Sequence, residues 1–218
     1  MTQPHITEDS PGAGLFPEYR SLYDLIYAEV QGLSDEHMNF ESSRWEWSKW
    51  SIRRQLSHMS SLIYRWLLLR WGDTLFPDGD HGVDDVKGIA DSDFDRRMDE
   101  RRYRELDTIM DRLETGIGLI RRVLDQRSVG FLRSHTVDRA RSGQWELMEK
   151  AHPTGILPSD DPDTALMTLE ATMRHIYFEE TTHLYNIQRL KRAQGLPAVA
   201  EVPKVGYWVL DGWDRSEP

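Results

Sequence analysis

Four stretches of this chain place apolar side chains at steps of three and four, and that periodicity constrains the fold more than any other feature. Residues 15–32 carry Leu15, Tyr19, Leu22, Leu25, Ile26 and Val30 on one helical face, closed by Gly32. Residues 51–71 begin at Ser51, a good N-cap, and continue through Ile52, Leu56, Met59, Ile63 and Leu67. The third stretch runs from about 92 to 126, with Phe94, Met98, Leu106, Ile109, Leu113, Ile117 and Leu124; Gly116 and Gly118 are expected to weaken or bend it. The fourth runs over 165–193, capped by Asp163 or Thr164 and stopped by Gly195 and Pro197. Strand signal is weak, although 128–137 reads as a strand or irregular chain and 145–150 as one helical turn. The expected fold is therefore all-α, a four-helix bundle with long loops.

The expected organisation is a flexible lead over 1–14, a helical domain over 15–195, and an aromatic tail over 196–218. The tail carries Tyr207, Trp208, Leu210 and Trp213 and is expected to pack back onto the domain. The acidic loop 72–92 is long enough to be functional or mobile.

The net charge of −10 disfavours nucleic acid, because such a surface repels phosphate backbones. The chain has no cysteine, which excludes a disulfide framework, a thiolate zinc site and a cysteine nucleophile. Residues 1–14 lack the basic start and apolar run of a signal peptide. The most apolar run, 62–71, is interrupted by Arg65 and Arg70 and is too short to span a membrane. A cytoplasmic protein without a membrane partner is the expectation.

One constellation carries chemistry. Glu179 and His183 are four residues apart, so their side chains share a helix face. They lie on or beside the apolar stripe Leu169, Met173, Ile176, Ile187 and Leu190. A carboxylate turned toward a core must be paired, protonated or bound to metal. His58 on the second stretch supplies a third ligand from a facing helix. Two histidines and one carboxylate, with open positions, suit Fe(II), Zn(II), Mn(II) or Ni(II). His175 also lies four residues from Glu179, and it stands about 12 Å along the axis from His183. Spacing alone thus leaves two pairs open, Glu179 with His183 or His175 with Glu179. Glu180 lies one step around the helix, beside the ligands or in solvent. Tyr64 and Tyr185 are candidate pocket residues. The histidines at 5, 37, 81, 135 and 152 fall in expected loops and read as solvated.

Two segments resemble the DinB/YfiT-like family of helical-bundle metalloproteins. Trp50-Ser51-Ile52 followed by His58-Met59 is similar to the family's opening of its second helix. Glu179-Glu180-Thr181-Thr182-His183, followed by Asn186-Ile187, is similar to its His-Glu-x-x-His-x-x-Gln-Ile signature. The Gly32-Leu33-Ser34-Asp35-Glu36 turn resembles a further family feature. The resemblance covers roughly 15–195 and selects Glu179 and His183 over His175. It also marks departures: Glu179 stands where the family places a histidine, and Asn186 where it places glutamine. The carboxylate shifts the expected ion toward Fe(II), Mn(II) or Zn(II). The resemblance implies a divalent-metal enzyme, with a low-molecular-weight thiol or other small molecule as partner, and a homodimer. Because of the glutamate, a non-catalytic binding bundle with a vestigial or structural site is the alternative.

Overall fold

The computed structural model describes residues 5–141 and 145–218. Its main elements are α1 (Leu22–Val30), α2 (Ile52–Tyr64), α3 (Leu106–Gln126), β1 (Thr136–Ala140), β2 (Ile156–Pro158), β3 (Thr164–Thr168) and α4 (Leu169–Ala193). The chain is mostly helical, with one small antiparallel sheet in the order β1-β3-β2. Shorter helical turns connect these elements. Among the described residues, no helix is long and apolar enough to cross a membrane.

Local chemistry sets the start of the two helices that matter most. The Ser51 hydroxyl accepts from the Arg54 N–H and caps α2. The Thr168 hydroxyl accepts from the Ala171 N–H and caps α4. α1 and α2 each pack on both α3 and α4. Ile26, Leu56, Met59, Ile63, Leu113, Ile117, Met173 and Ile187 form part of one continuous buried cluster. α2 comes close to α3 at Gly116, where a Cβ would stand 3.3 Å from Ile63 and Tyr64. The third helix passes through Gly116 and Gly118 without interruption.

Several boundaries differ from the sequence expectation, each for a local reason. The fourth helix starts at Leu169 rather than 165, because 164–168 pairs as β3 with β1 in the register Thr136↔Thr168 to Ala140↔Thr164. Ala165 and Met167 are buried there, and Thr168 takes the cap expected of Asp163 or Thr164. Residues 128–137 divide between a helical turn, Val129–Ser134, and the start of β1. Residues 145–150 fall in the helix Trp145–Ala151. The third helix starts at Leu106, not near 92. In the preceding segment side chains capture the backbone groups a helix would use. The Ser92 hydroxyl donates to the Arg97 carbonyl at 2.6 Å and accepts from the Phe94 N–H at 3.2 Å. The Met98 N–H donates to the Ser57 hydroxyl of α2 at 3.1 Å. This irregular segment brings Arg96 over the second helix.

The second stretch does not stay α-helical to 71. From Arg65 to Arg70 it widens into a π-helix. Such segments are frequent at functional sites. Within the lead, 1–4, including Pro4, lie outside the described residues. The rest is seated at Gly12, whose N–H donates to the Arg127 carbonyl at 2.8 Å.

The tail folds back along α4. Trp208 stacks on Tyr185 with ring centroids 4.5 Å apart. Tyr207 enters the core, and its own N–H donates to the Thr182 hydroxyl at 3.1 Å. The turn into it needs Gly206, at φ +109°, where a Cβ would collide with the Thr181 hydroxyl and lie 2.9 Å from the Phe178 carbonyl oxygen. A buried ion pair secures the start of the tail. Lys191 on α4 meets Glu29 on α1 at 2.5 Å, and Glu29 also accepts from the N–H groups of Val199 and Ala200.

Candidate metal centre

Helix spacing and helix packing together build the centre. Gln55 and His58, three residues apart, share a face of α2, and Glu179 and His183, four apart, share a face of α4. Packing of α2 on α4 brings the two faces together. The Nε2 atom of His183 lies 3.4 Å from Glu179 Oε2, and that of His58 lies 4.0 Å from the same oxygen. Ligand atoms from all three residues lie within 4.8 Å of one another. A divalent ion bound at about 2.0–2.2 Å from each needs only a small contraction of this group. His58 is buried, whereas the side chains of Glu179 and His183 retain 25% and 13% of their exposure. The centre is thus reached from one side.

The imidazole tautomers follow from the outer partners. His58 Nδ1 lies 2.8 Å from the Arg96 carbonyl oxygen, so Nδ1 carries the proton. His183 Nδ1 bonds to Gln55 Oε1. The Gln55 amide is itself oriented, because its NH₂ faces the carbonyls of Trp47 at 3.4 Å and Trp50 at 3.3 Å. Its oxygen must therefore face His183, and His183 Nδ1 must donate. Both histidines are left with bare Nε2 lone pairs turned toward a carboxylate. Outer partners that fix tautomer and ring direction in this way are usual around metal-bound histidine. Trp50 covers the far side, with ring centroids 5.2 Å from His58 and 6.4 Å from His183.

The electrostatics of the cluster are unresolved without a cation. Burial pushes the Glu179 carboxyl up; it is held well below the usual range only where His183 and His58 are protonated and donate to it. Burial and the neighbouring His58 push His183 down, toward the neutral form. A neutral imidazole whose Nδ1 donates elsewhere offers Glu179 no proton. A divalent ion would satisfy all three lone pairs at once, so the donor set fits such an ion.

The other candidate residues lie elsewhere. His175 is one helical turn away and outside the cluster; its Nδ1 is 2.5 Å from the Tyr207 hydroxyl. Glu180 points into the core on the far side of the ligand face. It is fully buried, and neither carboxyl oxygen has a hydrogen-bond partner among the described residues. Asn186 Oδ1 accepts from Arg189 at 2.5 Å and does not reach the ligands. The Tyr64 hydroxyl donates to the Arg112 carbonyl, 2.6 Å away against α3, so Tyr64 is a core residue. Tyr185 lies under Trp208 and donates to Glu217 at 2.8 Å. Neither tyrosine lines the cavity described next.

A cavity of about 150 Å³ opens beside the centre, with His58, His175 and Glu179 in its wall. Leu62, Trp66, Leu147 and Met148 supply apolar surface, and Tyr207 and Trp213 of the tail close one side. Arg65, Arg70, Arg96 and Arg139 complete it. Sequence reasoning missed most of this. The two arginines interrupting the apolar run 62–71 were a visible signal, as was a glutamine on an apolar stripe. Nothing local marked Arg96 or Arg139, and Tyr207 stood out only as one aromatic of a tail expected to pack back. His152 is a correction: it is not solvated but 1% exposed, because its Nε2 pairs with the Tyr207 hydroxyl at 2.9 Å. Burial drives His152 down to about 3 and His175 down to about 4, so both rings are neutral.

Gln55 gives a test of the outer partners. Gln55→Leu is expected to weaken metal binding by about 10–100-fold while all three ligands remain. Competition with a chromophoric chelator measures it; an affinity equal to that of the parent would show that Gln55 does not orient His183.

No protein-family model matches this chain, and no curated protein and no solved structure matches it.

Proposed function

We propose that this chain is a divalent-metal-dependent enzyme built on a DinB/YfiT-like four-helix bundle, acting by thiol-dependent S-transfer or a related detoxifying reaction. The observation that carries the reading is the convergence of three lone-pair donors, each histidine locked by an outer acceptor, beside a cavity that His58 and Glu179 line. The packing of α1 and α2 on both α3 and α4 supports the bundle. The motifs around His58 and His183 support the family. The mixed nitrogen and oxygen donor set favours Zn(II), Fe(II) or Mn(II), with Ni(II) less suited.

A bound divalent ion supplies Lewis acidity, lowering the pKa of a coordinated thiol or water. The chain's own residues do the rest. His58, Glu179 and His183 would hold the ion, and His58 and Glu179 also line the cavity where a small molecule would enter. Leu62, Trp66 and Trp213 exclude water from that side. Tyr207 holds a proton between His152 and His175, because burial pushes its phenol far above the ordinary range. Its hydroxyl bridges the two imidazoles and stands 3.1 Å from Met148 Sδ, which keeps the cavity wall fixed.

The test is conjugation of low-molecular-weight thiols, cysteine and glutathione among them, to a chromogenic haloarene by metal-loaded protein. A rate that chelator removes and that His58→Ala lacks is the expected result. Equal rates in parent and variant, or a rate indifferent to chelator, would overturn the transfer reading.

A further inference from the structure

The cavity beside the centre carries more positive charge than a metal site needs. Arg65 and Arg70 come from the π-helical segment, Arg96 from the loop over α2, and Arg139 from β1. Four guanidinium groups from three separate segments thus converge on one small space, in a chain whose net charge is −10. Among the described residues, Glu179 is the one carboxylate in the wall, and it faces the histidines. Arg96 pairs with the adjacent, exposed Asp95 at 3.3 Å. Among the described residues, Arg65, Arg70 and Arg139 lie within ion-pair distance of no carboxylate, and the Nε–H of Arg139 is buried without a hydrogen-bond partner. Arg70 and Arg139 instead lie over the Trp66 ring system, 5.0 and 6.0 Å from its centroid.

Bringing these guanidinium groups together is costly. Burial lowers the Arg65 guanidinium, Arg96 lowers it further, and Asp95 and Asp91 offset part of the effect. Burial lowers Arg70 too, with Arg139 and Arg65 adding to the effect. Like charges held together with little counter-charge, here the exposed Asp95 and Asp91, destabilise a fold unless something they bind offsets the repulsion. The guanidinium fork matches the oxygens of a carboxylate or phosphate in bidentate geometry.

We propose that the cavity binds a small organic molecule by an anionic oxyacid group, carboxylate or phosphate, clamped by Arg65, Arg70, Arg96 and Arg139, so that the rest of the molecule lies against the metal centre. The second half of that statement rests on the proposed enzyme reading; the oxyanion clamp does not. A cavity of about 150 Å³ admits a small molecule and not a polyanionic chain. Trp66 and Leu62 would pack the carbon frame, and the clamp would set which end reaches Glu179 and His58.

Calorimetric titration of the full-length protein tests this, with inorganic phosphate, succinate and uncharged succinamide as probes at constant ionic strength. Each probe is titrated into metal-loaded and chelator-treated protein. The expected result is binding of phosphate or succinate, but not succinamide, in both forms. Arg70→Gln and Arg139→Gln are expected to weaken it about tenfold or more, the size of one lost charge-assisted hydrogen bond. A preference for phosphate identifies a phosphate ester, and a preference for succinate a carboxylate. Arg70 is exposed, so its variant tests the clamp even if Arg139→Gln folds poorly. The proposal is overturned if neither anion binds better than succinamide, or if Arg70→Gln and Arg139→Gln bind as the parent does. Elemental analysis of the same samples separates the two readings. A parent without metal that still binds anions through these arginines would sink the enzyme reading and leave the clamp standing.

Discussion

Replacing His183 with alanine abolishes tight metal binding and leaves the helices in place. The side chain contributes one of three ligands, and the variant keeps a two-ligand remnant. Loss of an orienting partner alone costs about 10–100-fold in metal affinity, so loss of a ligand is expected to cost at least about 100-fold. The fold tolerates the change because the His183 side chain is 13% exposed rather than sealed in the packed interior. His175→Gln is the matched control. His175 stands as far from Glu179 in sequence as His183 does, yet it bonds to Tyr207 and not to the ligand group. Its variant is expected to hold metal within a few-fold of the parent. Competition against a chromophoric chelator reads both affinities, and far-ultraviolet circular dichroism checks the helices. Equal affinity in His183→Ala and the parent would remove His183 from the site.

Glu180→Met is expected to stabilise the protein, most strongly at alkaline pH. Glu180 is fully buried, and both its carboxyl oxygens lack partners among the described residues. Burial, and then the charge of Glu179, push its pKa well above the ordinary 4.5. A carboxyl whose folded pKa is raised binds its proton more tightly in the fold than in the unfolded chain. Its stabilising contribution is full below 4.5 and is lost as pH rises toward the folded value. The parent should therefore fall behind the methionine variant progressively from pH 5 to pH 8. An unsatisfied buried polar group costs about 1–3 kcal/mol, and for a chain of this size each kcal/mol moves the Tm by about 2–4 °C. Thermal unfolding in the presence of chelator keeps metal binding out of the comparison. A variant with lower Tm at pH 8, or a difference that does not change with pH, would mean that Glu180 has a partner the burial argument omits.

Much of the core and of the candidate centre was legible because both depend on spacing within single helices. The four-residue step from Glu179 to His183, and the place of His58 behind the Ser51 cap, follow from sequence alone. Spacing left the choice between His175 and His183 open, since both lie four residues from Glu179, and only the motif resemblance pointed to His183. The choice is decided by where α2 crosses α4, and there Gln55 meets His183. The strand at 164–168 was hidden for a similar reason: its stability comes from the partner at 136–140, and five residues of apolar stripe read as helix equally well. Residues 92–105 carry helical periodicity in Phe94 and Met98, but Ser92 and Ser57 capture their backbone groups instead. The tail was expected to pack back and does, but where its residues dock was not visible, and neither were the arginines. Tyr207 reaches the cavity by way of the turn at Gly206, and its N–H finds the Thr182 hydroxyl 25 residues back along the chain. No local pattern encodes a contact of that separation.

The central claim is that His58, Glu179 and His183 share one divalent ion. Crystals of protein purified without chelator or affinity tag, and grown with Zn(II), allow an anomalous difference map at the zinc edge. The account predicts one strong peak at about 2.0–2.2 Å from Nε2 of His58, Nε2 of His183 and a carboxyl oxygen of Glu179. An ordered triad with no peak between its three side chains, under the same conditions, would contradict it.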